Sequence, residues 1–144
     1  MILADEEATA VLARQLAPML RAGDVIALSG GLGVGKTTFA RALIAALGHA
    51  GEVPSPSFAI VQPYDHLDPP LWHADLYRIE DPSELDELGL DATGEGVLVV
   101  EWPEHAGPHA FTQALRLVLS QEPDGGRRLT AHVPSAWEGR WPPR

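Results

Sequence analysis

Gly30-Gly31-Leu32-Gly33-Val34-Gly35-Lys36-Thr37 fits the phosphate-loop pattern G-x-x-x-x-G-K-[ST] at every fixed position, and that pattern dictates its own surroundings. A strand must lead into it and a helix must leave it. Glycines let the backbone curl so that successive N–H groups converge on an anion. The helix that follows adds its positive amino end. Lys36, the one lysine of the chain, is placed to bridge β- and γ-phosphates, and Thr37 to hold Mg²⁺. The main-chain N–H groups of Gly33, Val34, Gly35, Lys36, Thr37 and Thr38 complete the nucleotide cradle.

The flanks agree. Val25-Ile26-Ala27-Leu28 is an apolar run of buried-strand type after the turn Gly23-Asp24. Phe39, Ala40, Leu43, Ile44 and Leu47 then repeat at helical spacing until Gly48. The chain reads as α/β: a P-loop NTPase-like mixed sheet flanked by helices on both faces, in a single domain. Residues 1–133 form that domain and 134–144, with three prolines, two tryptophans and no clear period, a C-terminal tail.

Before the loop, residues 5–21 predict an amphipathic helix with Ala8, Val11, Leu12, Leu16 and Leu20 on one stripe. After it, Phe58–Val61 predicts a strand ended by Pro63, and Leu71–Arg78 alternates as a half-buried strand. Asp81-Pro82-Ser83-Glu84 carries the start signals of a short helix ended by Gly89. Leu115–Leu119 and Arg128–Val133 bracket Pro123-Asp124-Gly125-Gly126, a hairpin with an Asp-Gly turn.

Composition narrows the chemistry. Among 144 residues there is no cysteine, so disulfides, thiolate metal sites and thiol nucleophiles are excluded together. There is no asparagine, which rules out an Asn-Lys-x-Asp guanine-reading loop and favours ATP over GTP. Twenty acidic against ten basic side chains leave a net charge of −10, the wrong sign for gripping nucleic acid directly. No apolar run approaches the ~20 residues that span a bilayer, and the acidic start (Asp5, Glu6, Glu7) does not resemble a secretory signal. The expected location is the cytoplasm.

Glu101 ends the most apolar tetrad, Val97–Val100, where an acid at the carboxyl end of a strand beside a P-loop faces the Mg²⁺ shell. Thr37 and Glu101 are therefore the candidate metal ligands. His73 and Asp75 lie two apart on one strand face, and spacing leaves Asp75 open between orienting water and being a solvated aspartate. Ser55 and Ser57 sit in a proline-stiffened loop, either a switch-like segment near the γ-phosphate or simply a turn.

Gly-Leu-Gly-x-Gly-Lys-Thr-Thr-Phe at 31–39, Ser-Pro-Ser-Phe at 55–58, His-x-Asp-Leu-Tyr-Arg at 73–78, Glu-Leu-x-x-Leu-Gly at 84–89 and Val-Glu-Trp-Pro-Glu at 100–104 together resemble the TsaE (YjeE) ATPases of tRNA threonylcarbamoyladenosine biosynthesis. The resemblance extends over about residues 5–107. It implies a slowly hydrolysing, partner-stimulated ATPase that acts beside a TsaD-like ligase subunit and a TsaB-like subunit, which modify adenosine 37. Contact with tRNA would be only indirect. It implies that Lys36, Asp75 and Glu101 are catalytic, that Trp102 lies beside the nucleotide, and that Thr9 lies near the adenine. Two positions depart: Ser57 stands where the family usually has threonine, and Gly31 where it usually has aspartate. A small-molecule kinase and a non-hydrolysing ATP-sensing module remain rival readings of the same loop.

Overall fold

The computed structural model describes residues 1–31, 33–54, 61–81, 83–84, 95–107 and 110–143. A short strand, β1 (Ile2–Leu3), precedes helix α1 (Glu6–Leu16). Asp5 caps α1 by accepting from the Ala8 N–H at 2.8 Å, and Glu6 and Glu7 put negative charge in its first turn. The helix ends five residues earlier than its apolar stripe predicts. Pro18 has no N–H to continue the ladder, so the chain tightens into a 3-10 turn over Ala17–Met19.

Strand β2 (Val25–Ser29), the phosphate loop and helix α2 (Lys36–Ala46) follow in the order the motif demands. Then come β3 (Val61–Tyr64), β4 (Leu71–Asp75), β5 (Val97–Glu101), β6 (Leu115–Gln121) and β7 (Arg127–His132). They form one seven-stranded mixed sheet in the order β1-β7-β6-β2-β5-β4-β3. The four central strands are parallel, with β3 and β7 antiparallel to their neighbours and β1 antiparallel to β7. The hairpin read from the Asp-Gly turn is the β6–β7 pair, in register from Arg116↔His132 to Gln121↔Arg127.

Both described α-helices pack on one face of the sheet, not one on each. Leu12, Leu16, Phe39, Leu43 and Ile44 close over Ile26, Leu28, Val97, Val99, Leu115 and Leu117 in one apolar cluster. Each such fully buried side chain contributes about 1.5–3 kcal/mol relative to exposure. On the opposite face, Ala27, Ala74, Leu98 and Val100 are covered, among the described residues, by loop side chains such as Leu76, Ile79 and Ala106. The small Ala27 and Ala74 fit that thinner layer.

Three local readings change. Pro63 does not end β3 but lies inside it, opposite Trp72. That is tolerated because β3 is an edge strand, where one side needs no ladder donor. Strand β4 is buried on both faces, with His73 and Ala74 fully buried, because Leu71 packs into the helix-side cluster and Ala74 into the cluster on the opposite face. It stops at Asp75, whose Oδ1 accepts from the Tyr77 N–H at 2.9 Å and turns the chain. Finally, residues 134–143, read as a tail, pack against the body. Trp137 is fully buried, and Arg140 forks onto Asp24 at 2.7 and 2.9 Å. Aperiodic sequence hides an anchor made by two large side chains.

The expected short helix after Asp81 lies mostly outside the described residues. Its start is visible: Asp81 Oδ1 accepts from the Ser83 N–H at 3.0 Å.

Candidate nucleotide site

Sheet topology brings three carboxyl ends together. Strand β2 delivers the loop, and its parallel neighbour β5 pairs Leu28 with Glu101. Strand β4 pairs Asp75 with Glu101 in turn. Ligands of open parallel sheets sit at this edge.

Backbone geometry in the loop requires glycine. Gly30, Gly33 and Gly35 adopt φ of 143°, 73° and 108°. A Cβ on Gly30 would strike the Leu119 carbonyl and the Val34 side chain. Gly35 caps α2, so Lys36 and Thr37 open the helix facing the loop. A cavity of about 200 Å³ lies there, lined by Gly33, Val34, Gly35, Lys36, Thr37, Thr38, Asp75, Glu101 and Trp102. These are the residues that the sequence singled out for phosphate, metal and catalysis, apart from Thr9 and the two serines.

Lys36 is 5% exposed and bonds its own loop. Its Nζ donates to the carbonyls of Gly30 and Gly31 and lies 3.8 Å from the centre of the Trp102 ring. Burial pulls the ammonium pKa below its ordinary value, while Glu101, Glu104 and Asp75 pull in the opposite direction. Trp102 itself holds the left-handed conformation, φ 59°, at the exit of β5. Tyr77 and His105 pack beside its ring.

Glu101 is 2% exposed and accepts the Thr37 hydroxyl on Oε1 at 2.9 Å. Its second oxygen, Oε2, is 2.6 Å from His73 Nε2. Thr37 and Glu101 thus present hard oxygen donors side by side, with the Asp75 carboxylate on the same cavity. That set suits Mg²⁺.

Thr9 lies in an adjoining hollow of about 280 Å³ with Asp5, Thr38, Gly125 and Arg127. Thr38 borders both spaces. Ser55 and Ser57 lie outside the described residues.

Sequence reasoning assigned no role to two side chains here. His73 is the buried partner of Glu101, and its only signal was the His-x-Asp spacing. Arg127 reaches back from β7 to donate from Nε to the Val34 carbonyl at 2.8 Å, tying the hairpin turn to the loop. No spacing argument could have found it, because the two residues are 93 apart.

The chain is similar to known proteins of one family. The family described as "Threonylcarbamoyl adenosine biosynthesis protein TsaE" matches residues 3–129. A tRNA threonylcarbamoyladenosine biosynthesis protein TsaE of Bacillus subtilis is 39% identical over 126 residues, covering 86% of this chain and 78% of that protein. A protein of the same description from Streptomyces coelicolor is 44% identical over 114 residues, 76% of this chain and 77% of that one. Among solved structures, Bacillus subtilis YdiB superposes with a TM-score of 0.80 at 30% identity, over 94% of this chain and 85% of that one. With the family match spanning residues 3–129 and relatives 39% and 44% identical over most of their length, the chain belongs to the TsaE family.

Proposed function

We propose that the chain binds ATP with Mg²⁺, hydrolyses it slowly, and thereby supports threonylcarbamoylation of adenosine 37 in tRNA. It would work beside TsaD-like and TsaB-like subunits in the cytoplasm. One observation carries the reading: a glycine loop whose sole lysine is folded onto its own carbonyls, facing a carboxylate already bonded to the neighbouring threonine. An ammonium and a hydroxyl side by side at the start of the helix support this reading, because a triphosphate with Mg²⁺ is held by such a pair.

Hydrolysis would proceed by in-line attack of water on the γ-phosphorus. The new O–P bond forms as the bond to the β,γ-bridging oxygen breaks, giving ADP and inorganic phosphate. Backbone N–H groups of residues 33–38 and Lys36 would spread the charge that builds on the phosphate oxygens. Thr37 and Glu101 would hold Mg²⁺, which supplies further charge neutralisation across the β- and γ-phosphates. Asp75, at the same cavity, would orient the attacking water.

The reading of tRNA as an indirect partner rests on charge. The chain carries −10, and its one adjacent basic pair is engaged internally. Arg127 bonds the Val34 carbonyl, and Arg128 pairs with Glu122 at 2.8 Å. An acidic subunit of this kind docks on protein more readily than on phosphate backbone.

A single-turnover assay with purified partner subunits tests the proposal. Phosphate release without any added acceptor, accelerated by the partners, is expected. Intact ATP while the complex turns over normally contradicts hydrolysis. Transfer to a nucleoside or sugar in place of release would instead make the chain a kinase.

A further inference from the structure

Glu101 carries two donors on two different oxygens, and only one of them borders the cleft. Thr37 Oγ1 bonds Oε1 at 2.9 Å from within the cavity. His73 Nε2 meets Oε2 at 2.6 Å from behind, and His73 is fully buried and lines no part of the cavity.

Sheet register creates this contact. His73 pairs with Val99 and Asp75 with Glu101, so His73 and Glu101 are diagonal neighbours on one face of β4 and β5. The protonation pattern follows from the partners. A carboxylate that binds Mg²⁺ is ionised and only accepts, so in this reading Nε2–H is the donor of the contact. The other ring nitrogen, Nδ1, is buried and has no hydrogen-bond partner among the described residues. A proton there would be an unsatisfied buried donor, costing about 1–3 kcal/mol.

We infer that His73 is the positioning residue of the metal-binding carboxylate: its Nε2–H holds Glu101 Oε2, so that Oε1 stays turned toward Thr37 and the cleft. The inference rests on the reading of Thr37 and Glu101 as the Mg²⁺ site. It deepens that reading, because the carboxylate is then oriented by the sheet before any nucleotide or metal arrives. Such supporting bonds to a ligating carboxylate are typically worth about 10–100-fold in metal affinity or activity. His73 lines no part of the cavity and acts through Glu101.

Two measurements test it. In the free protein, long-range ¹H–¹⁵N correlation of the imidazole rings reads the tautomer. His73 is expected with its proton on Nε2, and a proton on Nδ1 instead overturns the inference. Next, His73→Gln, whose amide N–H can stand where Nε2–H stood, is compared with His73→Phe, which has no donor. Divalent-metal affinity is read with Mn²⁺ in the nucleotide complex, and nucleotide affinity is read in chelator.

His73→Phe is expected to weaken metal binding about tenfold or more, while His73→Gln recovers most of the loss and metal-free nucleotide affinity is left nearly unchanged in both. Should the phenylalanine variant fail to fold, His73→Met takes its place with the same expectations. Equal metal affinity in the donor-bearing and donor-less variants overturns the inference, as does a loss of nucleotide affinity that matches the loss of metal affinity. A parent protein that binds nucleotide but shows no response to divalent metal sinks the metal site itself. A parent that responds while the variants respond like it sinks only the role of His73.

Discussion

Two buried carboxylates lie at opposite ends of the sheet, and they are treated differently. Asp24, just before β2, is 7% exposed, and both of its oxygens are taken by the Arg140 fork. The Arg21 N–H also donates to Oδ2 at 2.8 Å. The guanidinium stacks 4.0 Å over Trp137 and also bonds the Met19 and Ala136 carbonyls. Glu101, at the end of β5, is as deeply placed, but its positive neighbour, the Lys36 ammonium, acts on it through space and bonds the loop carbonyls instead. Its partners are a hydroxyl and an imidazole, and it keeps lone-pair capacity facing an open cavity. An ion pair with both carboxylate oxygens engaged fixes structure. A carboxylate held in place at the wall of an open cavity keeps capacity for a ligand.

The largest expected effect breaks the structural side of that comparison. Arg140→Ala leaves Asp24 buried without its partner, and chemical denaturation should show a loss of about 3–5 kcal/mol. Nucleotide affinity of the folded fraction should not change. A loss below about 1 kcal/mol would place the pair among weak surface bridges.

Glu101→Gln probes the other side and should behave in the opposite way. Its removal of a buried charge is expected to leave stability nearly intact and to spare ATP binding in chelator. The divalent-metal response should fall about tenfold, or about 1.4 kcal/mol. An unchanged metal titration removes Glu101 from the site.

These contrasts were unevenly legible in the sequence. The loop announced strand, glycines and helix, because phosphate binding fixes residue types at fixed spacing. Glu101 was visible as an acid closing an apolar run. His73 was visible but undecided, since only the β4–β5 register shows that it faces Glu101 and not solvent. Arg140 and Trp137 were read as tail, because a clasp made by a few large side chains leaves no period to detect. Arg127 was invisible for the same reason. Its contact with Val34 joins segments 93 residues apart. The early end of α1 was readable from Pro18, and the apolar stripe misled there.

Proton linkage gives a smaller effect with a defined sign. Burial lowers the Lys36 pKa below 10.5 in the folded chain. Between that lowered value and 10.5 the unfolded chain binds more protons, so the contribution of Lys36 to stability rises with pH across this window. Bound triphosphate favours the charged ammonium and raises its pKa again. ATP affinity should therefore fall as pH rises through the same window, with the decline beginning below 10.5. A flat affinity profile across it would detach Lys36 from the phosphates.

The smallest effect concerns a buried polar atom that belongs to neither class. The Tyr64 hydroxyl is buried with no hydrogen-bond partner among the described residues, and burial raises its pKa while Arg41 opposes the rise. Tyr64→Phe removes it at almost no cost in packing. Thermal denaturation should show a change within about 1 kcal/mol, toward greater stability. A marked destabilisation would reveal a partner for that hydroxyl.

The most direct test is a crystal structure with ATP and Mg²⁺. The expected result is the triphosphate lying in the curl of residues 33–38, with Lys36 Nζ released from the Gly30 and Gly31 carbonyls and bonded to phosphate oxygens. A saturated crystal whose loop holds no nucleotide, with Lys36 still on its own backbone, would contradict the account.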